Sequence, residues 1–197
     1  MKPDFVYLAS ASPRRRQLLG QLGLAVRTCP QELDETPRTG ERPADYVRRL
    51  AAAKARAAIA AGLPRPAPVI AADTAVVADE ELLGKPAGRD EARAMLSRLS
   101  GRQHEVYTAV AVAAGQACEV ALSCSRVHFR PLRPAEIDAY WDTGEPRDKA
   151  GGYAIQGLGA VFVRALDGSY SGVMGLPLCE TAELLGRFGW PLLEPDS

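Results

Sequence analysis

The stretch Asp4-Phe-Val-Tyr-Leu-Ala-Ser10-Ala-Ser12-Pro13-Arg-Arg-Arg-Gln-Leu-Leu-Gly-Gln-Leu-Gly23 decides the fold class. Residues 4–10 read as a short buried strand. Ser12 is placed as the N-cap of a helix and Pro13 as its first helical residue, where a missing N–H costs nothing. Leu18, Leu19 and Leu22 give that helix an apolar face, and Gly23 stops it. Outward from this strand–turn–helix unit the alternation repeats. Residues 26–29 form a second strand and 30–40 a polar, acidic loop. Pro43 opens a helix to about residue 61, with Val47, Leu50, Ala51 and Ala58 as its apolar stripe and Gly62 as its stop. Residues 69–72 form an apolar strand ending at Asp73-Thr74, and 75–83 a continuing strand or hairpin before the turn Gly84-Lys85-Pro86. A helix over 90–99 stops at Gly101, and runs over 104–113 and 117–129 pair around Gly115. A helix over 134–142, an irregular glycine-rich segment over 148–159 and a strand over 160–165 follow. The turn Asp167-Gly168 precedes a last helix from Leu176-Pro177 to about 188. Such mixed alternation predicts an α/β fold with a mixed sheet.

Composition narrows the function. The 197 residues, 47% hydrophobic, suffice for one domain, or one domain with a lobe around a cleft, with a core of its own. Twenty-four Lys and Arg balance 24 Asp and Glu, so no overall field draws in nucleic acid; an anionic ligand needs a local basic cluster. Cys29, Cys118, Cys124 and Cys179 form no C-x-x-C pair, and only His104 and His128 could join them. That excludes a zinc site or a disulfide framework and predicts buried thiols that pack as small apolar residues. No apolar run approaches the roughly 20 residues of a membrane helix. The first ten residues are too short and mixed for a signal peptide, and the expectation is a soluble cytoplasmic protein.

Five segments carry candidate chemistry. Ser10, Arg14 and Arg15 lie around a helix N-terminus, where free N–H groups, hydroxyls and guanidinium forks suit a phosphate; an ordinary capped helix with a basic first turn is the alternative. Asp34-Glu35 is either a solvated loop pair or part of a site. Lys54 falls on the inward stripe of its helix, so it either snorkels or meets an anion, a carboxylate such as Asp73 or a substrate phosphate. Asp73 ends an apolar strand, the edge where ligands bind in open α/β sheets, unless it is a turn residue. Lys85 in its turn is a weak signal alone. Gln156 sits between apolar residues and glycine, where its amide needs either the backbone or a ligand. Together these make a phosphate cradle with acids suited to Mg²⁺ or Mn²⁺, as metal-assisted attack on a polyphosphate requires.

Read in order, the chain resembles the Maf family. The stretches that carry the resemblance are Leu8-Ala-Ser-Ala-Ser-Pro-Arg-Arg15, Asp34-Glu35-Thr-Pro, Tyr46-Val-x-Arg-Leu-Ala-x-x-Lys54-Ala, Ala72-Asp73-Thr74 and Gly84-Lys85-Pro86. Met95-Leu-x-x-Leu-Ser-Gly101 with His104, Asp148-Lys-Ala-Gly-Gly-Tyr-Ala-Ile-Gln-Gly157 and Gly168-Ser-Tyr-Ser-Gly-Val-Met-Gly-Leu-Pro177 complete it. The resemblance implies one domain over 1–197, with an elongated, inosine-triphosphatase-like α/β fold of two lobes around a cleft. It implies a homodimer that hydrolyses dTTP and UTP, or modified pyrimidine nucleotides, between the α and β phosphates with Mg²⁺ or Mn²⁺. By position it makes Asp73 the catalytic carboxylate and Glu35 its acidic partner at the metal. Ser10, Arg14, Lys54 and Lys85 would hold phosphates, with Arg15 a further substrate contact. Arg14, Thr74 and Gln156 would mark the pyrimidine branch. Arg16 departs from the two arginines of many members and reads as surface. A nucleotide-sensing regulator of septum formation, with incidental hydrolysis, is the second function the resemblance allows. Neither nucleic acid nor membrane is an expected partner.

Overall fold

The computed structural model describes residues 4–193. In chain order the elements are β1 (Phe5–Leu8), α1 (Pro13–Gln21), β2 (Ala25–Thr28), α2 (Pro43–Ala60), β3 (Val69–Ala78), β4 (Glu81–Leu83) and α3 (Arg89–Leu99). Then come β5 (Gln103–Ala114), β6 (Ala117–Phe129), α4 (Pro134–Asp142), β7 (Val163–Asp167), α5 (Tyr170–Met174) and α6 (Leu178–Arg187). Among the described residues the strands form one seven-stranded sheet, β2-β1-β3-β5-β6-β7, with β4 on β3. β1 runs parallel to β2 and β3, whereas β3–β4 and β6–β7 are antiparallel. The expected α/β class with a mixed sheet is therefore what the chain builds.

The chain divides into two compact units. One takes the residues up to Asp73, Thr108–Ser123 and those from Gly175 onward; the other takes Thr74–Tyr107 and Cys124–Met174. The single-domain reading over 1–197 also includes 1–3 and 194–197, which lie outside the described residues. In the first unit every residue of β1 is buried, as a strand covered on both faces requires, and α1 and α2 are the crossovers that parallel pairing demands. Leu8, Leu18, Leu19, Val47, Leu50 and Ile70 are fully buried there. β2, short and mostly exposed, forms the edge. In the second unit a two-residue hairpin joins β3 to β4. Asp79 and Glu80 both adopt positive φ, 51° and 66°, as the twist of a tight hairpin demands. Arg98 of α3 ties that hairpin down, donating to the Ala78 carbonyl at 2.7 Å, to Asp79 at 3.1 Å and to Glu81 at 2.6 Å.

Four expectations need correction. Asp73 lies within its strand, not at its end: β3 runs on to Ala78 and pairs with β4, which is the continuing strand or hairpin expected over 75–83. The strand placed at 160–165 is instead a 3-10 turn over Leu158–Phe162 followed by β7; Arg130 takes the carbonyls of Val161 and Phe162, so they make no ladder bonds. Ser12 occupies the N-cap position of α1 without a side-chain capping bond. None of the four thiols is buried: Cys29 and Cys118 are half-buried, and Cys124 of β6 and Cys179 of α6 are exposed. The short α5 was not legible in the sequence. Among the described residues no helix is long and apolar enough to cross a membrane.

Candidate active site

Lys54 is the centre of the arrangement. Alanine, the best helix former, fills most of the middle of α2, and the helix packs Leu50, Ala51, Ala55 and Ala58 inward. Lys54 shares that face, and its side chain is only 10% exposed. It does not snorkel. Its ammonium lies 2.6 Å from Asp73 Oδ1 and 2.6 Å from Glu35 Oε1. Burial pushes the Asp73 carboxyl above the usual carboxylate range; Lys54 and Arg15 pull it down, and Glu35 pushes it up again.

Glu35 lies on a loop that α2 itself secures. The Tyr46 hydroxyl donates to the Glu35 carbonyl at 2.9 Å, and Arg49 donates to the Thr36 carbonyl at 3.3 Å while gripping both oxygens of Glu41 at 2.6 Å. Burial, then the charges of Asp73 and Glu35, push the Tyr46 phenol up to about 12. Sequence reading gave Tyr46 and Arg49 no part in the site, although both stand in a stretch that carries the family resemblance, about two turns and one turn before Lys54 on one helix. The two loop acids separate cleanly. Glu35 meets Lys54, whereas exposed Asp34 accepts the Thr36 N–H at 2.9 Å and forms a local turn.

Ser10 and Arg15 interlock beside α1. Ser10 Oγ accepts from the Ser12 N–H and from Arg15 Nη1, both at 3.2 Å. That occupies the acceptor side of the hydroxyl and leaves its O–H to donate. Arg15 Nε donates to the Gly175 carbonyl at 2.7 Å, and Gly175 holds a φ of 115° that favours glycine. Burial lowers the Arg15 pKa, while Asp73 and Glu35 act on it in the opposite direction. Arg14 is half-buried in the same turn, and Arg16 is exposed, as the sequence implied. Ser10, Arg15, Glu35, Lys54 and Asp73 are thus one hydrogen-bonded and electrostatic cluster in the first unit.

Thr74, Lys85 and Gln156 belong to the second unit. Thr74 is half-buried on β3, and Lys85 is exposed after Gly84, whose carbonyl accepts the Gly151 N–H at 3.0 Å. Gln156 is half-buried, and among the described residues its amide makes no hydrogen bond. Its backbone is closely held, however. Glu145 accepts the Leu158 N–H at 2.9 Å, the Gly159 N–H at 3.0 Å and the Tyr140 hydroxyl at 2.6 Å. The Tyr140 oxygen in turn accepts the Ala154 N–H at 3.1 Å. Tyr140 and Glu145 escaped the sequence reading; the glycines at 157 and 159 were the only hint of a close approach there.

For a cation, the site offers two carboxylates. Among the described residues no three His, Cys, Asp or Glu side chains converge. One oxygen each of Glu35 and Asp73 lies 2.6 Å from a single ammonium, so the two are separated by no more than twice that distance. Magnesium and manganese are held by one or two carboxylates completed by phosphate and water, so this donor pair fits them.

The sequence matches the family described as Maf-like protein over residues 5–188. It is 56% identical over 182 residues to the dTTP/UTP pyrophosphatase of Methylococcus capsulatus (strain ATCC 33009 / NCIMB 11132 / Bath), covering 92% of this chain and 90% of that protein. The dTTP/UTP pyrophosphatase of Hahella chejuensis (strain KCTC 2396) is 52% identical over 183 residues, 92% of this chain and 91% of the relative. Among solved structures, the Staphylococcus aureus Ham1 protein aligns with a TM-score of 0.47 at 14% identity, over 63% of this chain and 71% of that one.

Proposed function

The chain belongs to the Maf-like protein family, and from that premise we propose that it is a nucleoside triphosphate pyrophosphatase acting on dTTP and UTP. The products are the monophosphate and pyrophosphate. The observation that carries this reading at the site is a buried lysine bridging two carboxylates beside an interlocked serine and arginine.

The chemistry follows from those groups. A water oxygen bonds to the α-phosphorus, the bond to the α–β bridging oxygen breaks, and pyrophosphate departs. Asp73 takes the proton of the attacking water. Its Oδ1 is committed to Lys54, so Oδ2 is the accepting atom, and a carboxyl raised above its usual range is better matched to that task near neutral pH. Two of the three Lys54 N–H donors go to Glu35 and Asp73, and the third is open to a phosphate. Ser10, through its free O–H, and Arg14, Arg15 and Lys85 are the remaining phosphate contacts. Glu35 would hold Mg²⁺ or Mn²⁺, with Asp73 as its second ligand in place of the base role rather than beside it, and the bound ion would neutralise phosphate charge. Thr74 and Gln156 are assigned to the base and sugar end. Gln156 carries both donors and an acceptor, so once oriented it complements the O4 and N3–H edge of thymine or uracil and opposes the reversed edge of cytosine.

A cytoplasmic homodimer acting on free nucleotides, not on nucleic acid or a membrane, completes the reading; the balanced charge supports the exclusion of nucleic acid. A septum-formation regulator with incidental hydrolysis is the less favoured function, because the relatives are named for hydrolysis. The test is product analysis across a nucleotide panel with and without Mg²⁺ or Mn²⁺. Pyrophosphate from dTTP and UTP, with little from dCTP and CTP, is expected. Orthophosphate plus a diphosphate would overturn the reading.

A further inference from the structure

Gln156 has a rigid mount. The backbone two residues before it ends in an N–H held by Tyr140, and the backbone two and three residues after it is held by Glu145. The Tyr140 hydroxyl and the Glu145 carboxylate are themselves bonded at 2.6 Å, so one clamp grips both flanks. The glycines make the clamp possible. A Cβ at residue 157 would overlap the Glu145 carboxylate, and one at 159 would lie 2.7 Å from the Tyr140 oxygen and 2.8 Å from the Ala154 carbonyl. The Gly157 N–H donates to the Ala154 carbonyl at 3.2 Å, closing the turn around Gln156. Between the two flanks, the Gln156 amide has no hydrogen bond to any described residue.

We propose that Tyr140 and Glu145 are specificity-positioning residues, which fix the backbone around Gln156 so that its amide reaches a pyrimidine base from one position. This rests on the reading that Gln156 contacts the base. The physical reason is that an amide pairs with both groups of a base edge only if the backbone that carries it is held in place. When that backbone shifts, the paired hydrogen bonds to the thymine edge are lost first, cytosine having fewer to lose, and the ratio falls. Neither Tyr140 nor Glu145 touches the base in this scheme. Glu145 acts as an acceptor for three hydrogens, a task for which only a carboxylate has the lone pairs and lacks a competing N–H.

The experiment compares kcat/KM for dTTP and dCTP in the wild type, Tyr140→Phe, Glu145→Gln and Gln156→Glu. In Glu145→Gln an amide N–H confronts one of the backbone donors; Tyr140→Phe removes only the bridging oxygen and is the milder change. Both are expected to lower the dTTP-to-dCTP ratio by roughly tenfold or more, with most of the loss on dTTP. A loss shared equally by both nucleotides, leaving the ratio at the wild-type value, overturns the inference and leaves the functional reading intact. A wild type that does not prefer dTTP, or a Gln156→Glu variant that keeps the ratio, removes the base-contact reading and the inference with it. Should Glu145→Gln fail to fold, the ratio in Tyr140→Phe decides.

Discussion

At Lys54 a single side chain settles several questions at once. A lysine on the inward face of a helix was legible from spacing, and so was the choice it posed between solvent and an anion. Its two partners were not, because Glu35 and Asp73 are 19 residues or so to either side and only the fold unites them. Asp73→Asn should cost kcat on the order of a hundred- to ten-thousandfold, since an amide takes no proton; turnover near the wild-type rate would remove Asp73 from the mechanism. Lys54→Met should displace the acid limb of the kcat/KM profile to higher pH. Lys54 lowers the Asp73 pKa, and without it the base stays protonated further into the neutral range. An acid limb at the wild-type position would sink that account. The same raised pKa has a stability consequence of defined sign. Folding favours the protonated carboxyl, so the stabilising contribution is full below the ordinary aspartate range and is lost as pH rises through the raised value.

Elements were easier to place than their ends. Helices α2, α3 and α4 fall within a residue or two of the sequence reading, since proline and glycine mark their limits. The continuation of β3 past Asp73 into the hairpin was legible as an apolar run over 75–83; the charge partner that Asp73 meets from α2 was not. The loop carrying Glu35 owes its position to α2 as well. Tyr46→Phe should cost about 1 kcal/mol of stability for the lost bond to the Glu35 carbonyl, and should raise KM more than it lowers kcat. Chemical denaturation and steady-state kinetics on one preparation would check both, and an unchanged KM would show that the loop holds Glu35 unaided. The β3–β4 hairpin offers a separate test. Glu80 has a φ of 66° in a turn that favours glycine, and the cross-links of the turn run from Arg98 and Arg102 to Asp79, not to Glu80. Glu80→Gly should therefore stabilise the protein by about 1 kcal/mol, read as a higher denaturation midpoint. A lower midpoint would mean that chain entropy outweighs the relieved backbone.

For the molecule as a whole, acid sensitivity is expected from a histidine outside the Lys54 cluster. His104 is 3% exposed, shares a 2.8 Å hydrogen bond with the Tyr153 hydroxyl and packs against the Phe129 ring; burial holds its pKa down to about 4. An unfolded histidine titrates near 6.5, so the unfolded chain takes up the proton first. The stabilising contribution is complete above that value and is lost as pH falls toward 4, on the order of 3 kcal/mol in all. Melting temperature should fall across that interval in the wild type and fall less in His104→Gln; parallel slopes would assign the loss to other groups. Chain-wide, acids and bases cancel, and the same cancellation recurs around Lys54. Two carboxylates face one ammonium, with a guanidinium close enough to act on both acids. A free divalent ion approaching this group meets almost no net attraction, whereas a triphosphate brings several negative charges with it. The order of arrival is thereby set: metal and nucleotide should enter as a preformed complex, with the bare ion a poor visitor. Calorimetric titration of Mg²⁺ into the protein alone should give little heat, and a substoichiometric, tight isotherm without nucleotide would contradict it.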